Sequence, residues 1–405
     1  MTDFSYLGNA DPAAIEGYYQ QYRQQPESVD ASWRKFFEGF EFARTANGAA
    51  AEQAPEQFIK EVNVLNLIGA YRQRGHLFTK TNPVRTRRQY GGKLTLENFE
   101  LDESDLDTVF HAGARLGLGP AALRDIVQML EETYSHSVGV EYKFIRDPKV
   151  MEWLQERMES CRNRLNYTKD QKLRMLQKLM QAVTLEKFMH ARFVGQKRFS
   201  LEGLEVFIPA MEAIVEIGAY FGVREFLVGM AHRGRLNMLT NILGKGYQHI
   251  FWEFEGKALD DHLFMGDVKY HLGHSADRVT HNGKSVHLSL APNPSHLEAI
   301  DPVVEGLARA KLDNLFNGDL KKVLPILVHG DSSIAGQGIV YELLQMSQLE
   351  GYQTGGTMHI VLNNQVGFTT NYIEARSSTY CTDVAKTTLS PVFHVNADDV
   401  EAVCY

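Results

Sequence analysis

The second half of the chain alternates short apolar runs with amphipathic stretches. Val323 to Val328 is an apolar run of strand length. It passes into a polar turn, His329-Gly330-Asp331-Ser332-Ser333, and then into apolar positions at helical spacing, Val340, Leu343 and Leu344. Gly351, Gly355 and Gly356 close that helix, and His359 to Leu362 is a second short run that ends in Asn363-Asn364. Strand, turn, helix, strand predicts a βαβ unit, its strands parallel and both polar turns at one sheet edge. Glu225 to Met230 repeats the pattern, ending in Ala231-His232-Arg233-Gly234-Arg235 before a helix over Leu236 to Leu243. Ser285 to Ala291 does so again, ending in Pro292-Asn293-Pro294-Ser295-His296-Leu297-Glu298 before a helix from Asp301 to Asn314. Four strands therefore end in polar turns, at His232, Ser295, Asp331 and Asn364, and these should converge where open α/β sheets bind ligands.

The first half carries a helical period instead. Ile59, Val62, Leu65, Leu67 and Ile68 mark a helix over Phe58 to Arg74, and Lys169 to His190 is a long amphipathic segment. Near the start, Asp11-Pro12 opens a helix over Ala13 to Gln24. A second helix begins near Asp30 and carries Trp33, Phe36, Phe37 and Phe40 on one face. That face has two readings, packing on the chain's own core or docking to another subunit. Ala43 to Pro55 is small and polar and reads as a linker. The expected organisation is a helical docking segment at 1–42, a flexible linker at 43–55, a helical domain at 56–190 and an α/β domain at 191–405.

Composition narrows the class. At 405 residues, 44% hydrophobic and 23% charged, the chain can bury a large core. A formal net charge of −8 argues against nucleic acid as the main partner. Cys161, Cys381 and Cys404 are odd in number and widely spaced, which fits a reducing cytosolic or matrix-like setting better than a disulfide scaffold; a bacterial cytoplasm is expected ahead of a mitochondrial matrix. No apolar run is long enough to cross a membrane. The opening MTDFSYLGNADP carries no secretory or transit pattern.

The polar turns suggest their own chemistry. Asp331 offers a carboxylate, Asn364 an amide oxygen and Val366 a backbone carbonyl, an oxygen set that suits Mg²⁺ with open positions for phosphates. Ser332 and Ser333 add N–H groups and hydroxyls beside that point. A helix cap and a turn would explain Asp331 and Asn364 singly, but not their pairing at two strand ends. His232 is placed to donate to a carboxylate, and Arg233 to reach a phosphate or carboxylate with its planar fork. His262, His274 and His281 lack zinc spacing, the basic loop of Arg85, Arg87 and Arg88 reads as solvated, and Gly336-x-Gly338 lacks the rest of a dinucleotide fingerprint.

Gly330-Asp331 followed by Asn363-Asn364 resembles the Mg²⁺–thiamine diphosphate signature of 2-oxoacid dehydrogenases and transketolase-like enzymes. HGDSSIAGQGIVYE, VLNNQVGFTT, AHRGRLN and GDVKYHLG are similar to one branch, the decarboxylating component of 2-oxoglutarate dehydrogenase complexes. The resemblance implies the thiamine diphosphate-binding fold, a parallel sheet flanked by helices, and oxidative decarboxylation of 2-oxoglutarate with succinyl transfer to a lipoyl group. It implies a succinyltransferase core and a dihydrolipoamide dehydrogenase as partners, attachment through YYQQYRQQPESVDASWRKFFEGF, and a homodimer. It implies that His232 and His271 bind substrate, that Ser295 contacts substrate and cofactor, and that Arg233, Leu297, Asp331, Ser332, Ser333 and Asn364 contact the cofactor, with Asp331, Asn364 and Val366 on the metal. The family usually has two Ala after the Asp and Gly where this chain has Ser200. In that family a second domain supplies an activating Glu. No residue here matches it, so the chain is expected to be the N-terminal part of a longer enzyme, inactive alone. A non-catalytic assembly piece, or a thiamine enzyme for another 2-oxoacid, are the alternatives.

Overall fold

Aromatic spacing shapes the first helices. Phe37, almost fully buried, links α1 (Pro12–Gln24) to α2 (Ala31–Ala46), with ring centroids 5.2 Å from Tyr19 and 5.4 Å from Tyr22. Trp33 stacks on Tyr18 at 5.7 Å, and Phe40 meets Phe58 of α3 (Gln53–Arg74) at 5.9 Å. Asp30 starts α2 by accepting the Ser32 N–H at 2.9 Å. Much of the aromatic face is therefore turned into the chain's own packing, while Tyr18 stays 44% exposed.

The structure is a computed structural model and describes residues 12–46, 53–82, 92–256, 270–365 and 370–405. Asp11, residues 47–52 of the expected linker, the Arg85, Arg87 and Arg88 loop, His262, Gly266 to Lys269 and Val366 lie outside the described residues. The flanks of that linker are helical, since α2 runs on to Ala46 and α3 begins at Gln53.

The chain divides into two compact units, residues 1–75 with 89–132 and residues 76–88 with 133–405. The first also contains an antiparallel pair, β1 (Val109–Phe110) with β2 (Ala121–Ala122), followed by α4 (Leu123–Tyr134). The cut falls elsewhere than the expected boundary at 190/191, and a strand pairing gives one reason. β3 (Val138–Glu141), inside the expected helical domain, pairs antiparallel with β9 (Val392–Val395), and His394 Nε2 and Glu141 Oε1 lie 2.9 Å apart across that pair.

In the second unit α5 (Pro148–Cys161) is capped by Asp147, and α6 (Lys169–Arg192) by a Thr168–Gln171 capping box. α7 (Phe207–Tyr220), β4 (Glu225–Met230), α8 (Arg235–Asn241), α9 (Tyr247–Glu255), β5 (His274–Val279), β6 (Ser285–Leu290) and α10 (Asp301–Phe316) follow. Then come β7 (Val323–Gly330), α11 (Asp331–Gly336), α12 (Gly338–Met346), β8 (Met358–Leu362), α13 (Tyr372–Ala375) and, after β9, α14 (Val400–Cys404). The sheet order is β5-β6-β4-β7-β8. β4 is parallel to both β6 and β7, and β7 is parallel to β8, as the alternating pattern predicts. β5 is antiparallel to β6 and was not expected; its sequence HSADRV has no apolar run, because alternate residues face solvent.

Both faces of β4 are covered. Phe226, Val228 and Met230 join a core with α6 to α9, while Leu227 joins Leu327, Val304 and Leu312 on the other side. Each such side chain, fully buried, contributes about 1.5–3 kcal/mol. The chain passes from β4 to β6 on one flank and then to β7 on the other. The carboxyl ends of these strands thus flank a topological switch point.

Candidate active site

The turn after β4 is forced by one glycine. Gly234 has φ +75°, and a Cβ there would lie 2.4 Å from Leu201 Cδ2. The tight turn starts α8 at once and drives Arg235 under the sheet edge. Its guanidinium is fully buried and donates to Met230 O at 3.2 Å, Leu272 O at 2.9 Å and Ala291 O at 2.7 Å. One cation therefore ties the end of β4, the end of β6 and the segment that carries His271. Burial pulls its pKa down to about 10, so it stays charged at neutral pH.

Above it three expected site residues meet. His232 Nε2 lies 3.2 Å from His271 Nε2, and Ser295 Oγ lies 3.2 Å from the same His271 nitrogen. Asn293 Nδ2 donates to His232 Nδ1 at 3.0 Å, and the Asn293 N–H donates to His271 O at 2.9 Å. Burial pushes His232 down to about 4, and the neighbouring His271 and Arg235 lower it further. His232 is therefore neutral at pH 7, and the Asn293 bond places its proton on Nε2, toward His271. Phe199 and Tyr270 wall the pair, their ring centroids 5.0 Å and 5.5 Å from that of His232.

The other half of the edge lies at β7 and β8. Gly330 is in register with Leu362, so Asp331 and Asn364 leave adjacent parallel strands at the same end. Asp331 is 6% exposed. Asn364 Nδ2 donates to Leu201 O at 3.4 Å, which turns its amide oxygen the other way. Ser332 is exposed, whereas Ser333 is buried and its hydroxyl donates inward to Glu298 and to Gly330 O at 3.2 Å. Its N–H, not its hydroxyl, is what it can offer the edge. Arg233 Nη1 donates to Ser200 O at 2.6 Å, so it holds the preceding loop. Leu297 is 41% exposed in the turn after Ser295.

Several functional-looking residues were not anticipated. Arg235 stood beside Arg233 in the same motif, and only the direction of α8 tells them apart. Asn293 sits between two prolines in a turn. Glu298, His329 and Asp301 form a buried polar cluster behind the edge, with the partly exposed His359 beside it. His329 Nδ1 is 2.6 Å from Glu298 Oε2, and His329 Nε2 is 2.9 Å from His359 Nδ1. Burial alone would raise the pKa of Glu298, but hydrogen bonds from His329 and Ser333 outweigh it and hold the carboxyl low. Burial and the adjacent Glu298 push Asp301 up to about 9. The only sequence signal was a pair of histidines on strand positions whose neighbours are apolar. A second group, Glu212, Glu216 and His281, already has cations on it, since Glu212 pairs with Arg278 and with Lys178 at 3.2 Å.

Residues 177–405 match the family model described as dehydrogenase E1 component, and residues 4–44 match that of the 2-oxoglutarate dehydrogenase N-terminus. The 2-oxoglutarate dehydrogenase E1 component of Azotobacter vinelandii is 42% identical over 433 residues, covering 100% of this chain and 46% of that protein. That of Cupriavidus necator is 43% identical over 430 residues, with 99% and 45% covered. That of Haemophilus influenzae is 42% identical over 423 residues, with 98% and 45% covered. The chain spans about half the length of the curated relatives it matches.

Proposed function

The chain belongs to the dehydrogenase E1 component family, and from that premise we propose that it forms the diphosphate-binding half of a thiamine diphosphate-dependent 2-oxoglutarate dehydrogenase. The observation that carries this reading is the convergence at one sheet edge. His232, His271 and Ser295 stand together after β4 and β6, and Asp331 and Asn364 stand together after β7 and β8. No feature among the described residues fits a nucleic-acid or membrane role better, and no described helix is long and apolar enough to cross a membrane.

The donor set suits Mg²⁺. A buried carboxylate at Asp331 and an amide oxygen at Asn364 are hard oxygen ligands, and Val366 follows two residues later. In this reading Asp331, Asn364 and Val366 hold the ion, and Ser332, Ser333, Arg233, Ser295 and Leu297 contact the diphosphate. When bound, thiamine diphosphate supplies the carbanion that adds to the keto carbon and the electron sink as CO₂ leaves. His232 and His271 bind the substrate carboxylates. Neutral His232 donates from Nε2, exchanging its contact with His271 for a carboxylate oxygen, and Arg235 beneath raises the local positive potential. Phe199 and Tyr270 exclude water from this corner.

The 2-oxoglutarate preference, succinyl transfer to the lipoyl arm of a succinyltransferase core, a dihydrolipoamide dehydrogenase partner, a homodimer and a bacterial cytoplasmic setting are parts of the same proposal. The substrate and partners rest on the relatives' names and on the match at residues 4–44, the setting on the relatives' being bacterial, and the homodimer on the resemblance of the motifs alone. In that proposal the α1–α2 pair is the attachment segment, with Tyr18 the exposed aromatic at its surface.

The test is a calorimetric titration of the full-length protein with thiamine diphosphate, with and without Mg²⁺. Mg²⁺-dependent binding is expected, weakened at least about a hundredfold in Asp331→Ala. A folded wild-type protein that binds no thiamine diphosphate, or an Asp331→Ala variant that binds it normally, refutes the reading.

A further inference from the structure

Glu298 is backbone-strained, buried and doubly bonded, and nothing in the reading above uses it. It adopts φ +66°, a conformation that costs an L-residue about 1 kcal/mol or more and persists only where surroundings enforce it. Its side chain is 5% exposed and carries two strong contacts on different oxygens. Oε2 takes His329 Nδ1 at 2.6 Å, and Oε1 accepts the Ser333 hydroxyl. The positions of these partners matter. Glu298 follows Leu297 directly and lies in the turn that carries Ser295. His329 and Ser333 bracket Asp331 on either side, one at the end of β7 and one in the first turn of α11.

We propose that Glu298 is a positioning residue that clamps the Ser295–Leu297 turn to the Gly330–Ser333 turn, and so sets the spacing of the two halves of the diphosphate and Mg²⁺ site. The clamp is braced from behind. His359 holds the far nitrogen of His329 at 2.9 Å with the two ring planes 11° apart, and Asp301 lies 3.8 Å from His329 Nδ1. The left-handed backbone at residue 298 is held by these contacts, with Ser295 and Leu297 exposed and the Glu298 side chain buried. Ser333 then acts through Glu298, because its hydroxyl is directed at the carboxylate and at Gly330 O.

This inference rests on the diphosphate-site reading, and the experiment separates the two. The full-length protein is titrated with thiamine diphosphate at saturating Mg²⁺ as wild type, Glu298→Gln, Ser333→Ala, the double variant and Asp331→Ala. Folding is followed by circular dichroism. Glu298→Gln keeps the volume and removes the charge-assisted bonds, and is expected to raise the Kd for thiamine diphosphate about tenfold. In turnover assays its loss falls on KM for the cofactor rather than on kcat. Ser333→Ala is expected to raise Kd about threefold alone and to add nothing in the Glu298→Gln background, because both act through one clamp. A folded Glu298→Gln protein whose Kd stays within twofold of wild type overturns the proposal, whatever its Tm. Additive effects in the double variant also overturn it, since Ser333 would then act directly. If Glu298→Gln does not fold, an unchanged Kd in Ser333→Ala overturns it. No binding by wild type, or normal binding by Asp331→Ala, fails the site reading itself and with it this proposal.

Discussion

Replacing Arg235 by Met isolates the buried cation from its stem. The methionine fills most of the aliphatic volume but leaves three carbonyls, Met230 O, Leu272 O and Ala291 O, without their donor. A buried acceptor left unpaired costs about 1–3 kcal/mol, which over three carbonyls is about 3–9 kcal/mol. Against this stands the relief of burying no guanidinium, a term of several kcal/mol that recovers part of the loss. The expected net destabilisation is about 3 kcal/mol, seen at pH 7 as a lower urea midpoint with an unchanged slope. Arg235→Lys should fall between, since one ammonium cannot span three carbonyls held by a planar fork. A second readout is local. Removing positive charge beneath His232 should move its pKa up from about 4 toward the ordinary 6.5, measured by NMR titration of the imidazole. A destabilisation below about 1 kcal/mol together with an unmoved His232 would refute the argument that Arg235 holds the three chain ends and biases the histidine.

His271→Ala in the full-length protein should lower kcat/KM for the 2-oxoacid about a hundredfold, the loss of one donor worth about 3 kcal/mol in the transition state, and unchanged kinetics would remove His271 from the site. The depressed His232 also makes stability depend on pH. Between the ordinary 6.5 and about 4 the unfolded chain takes up a proton there that the folded chain refuses, so folding stability falls as pH drops through that window and is flat above it. Urea midpoints from pH 4.5 to 7.5 should fall more steeply for wild type than for His232→Gln; equal slopes count against the neutral histidine.

What was legible in the sequence was the part set by pattern. Val323 to Val328 and Phe226 to Met230 carry no charged or polar side chain because both faces of β7 and β4 are covered, so strand and parallel order followed together. The turns at His232, Ser295, Asp331 and Asn364 were visible because polar residues end such runs. β5 was not legible, since an edge strand with one solvated face shows only alternation, and HSADRV alternates without strong apolar residues. Nor was the pairing of β3 with β9, which joins residues 138–141 to 392–395 and leaves no local signal. Arg233 and Arg235 are equivalent in composition and spacing. The φ of +75° at Gly234 decides that Arg235 turns under the sheet while Arg233 reaches back to Ser200. Ser333 illustrates the same limit, because its type suggested a cofactor hydroxyl and its geometry commits that hydroxyl to Glu298.

The sheet order explains why one edge needs two kinds of support. β4 lies between β6 and β7, and the connections leave it on opposite flanks, so the strand ends on either side of it belong to separate βα turns with no covalent reason to keep their distance. Across the β4–β6 gap that distance is set by Arg235, which bonds both chain ends at once. Across to β7 no cation among the described residues performs that role; the bond runs from Glu298, after β6, to His329 and Ser333. A cation binding carbonyls and an anion binding N–H and O–H donors each cross-link a buried edge while keeping the buried charge hydrogen-bonded. Each places its charge where it serves the site. The positive post stands beneath the histidines proposed for substrate carboxylates. The negative one stands behind the turn proposed for Mg²⁺, bonded to the two residues that flank Asp331.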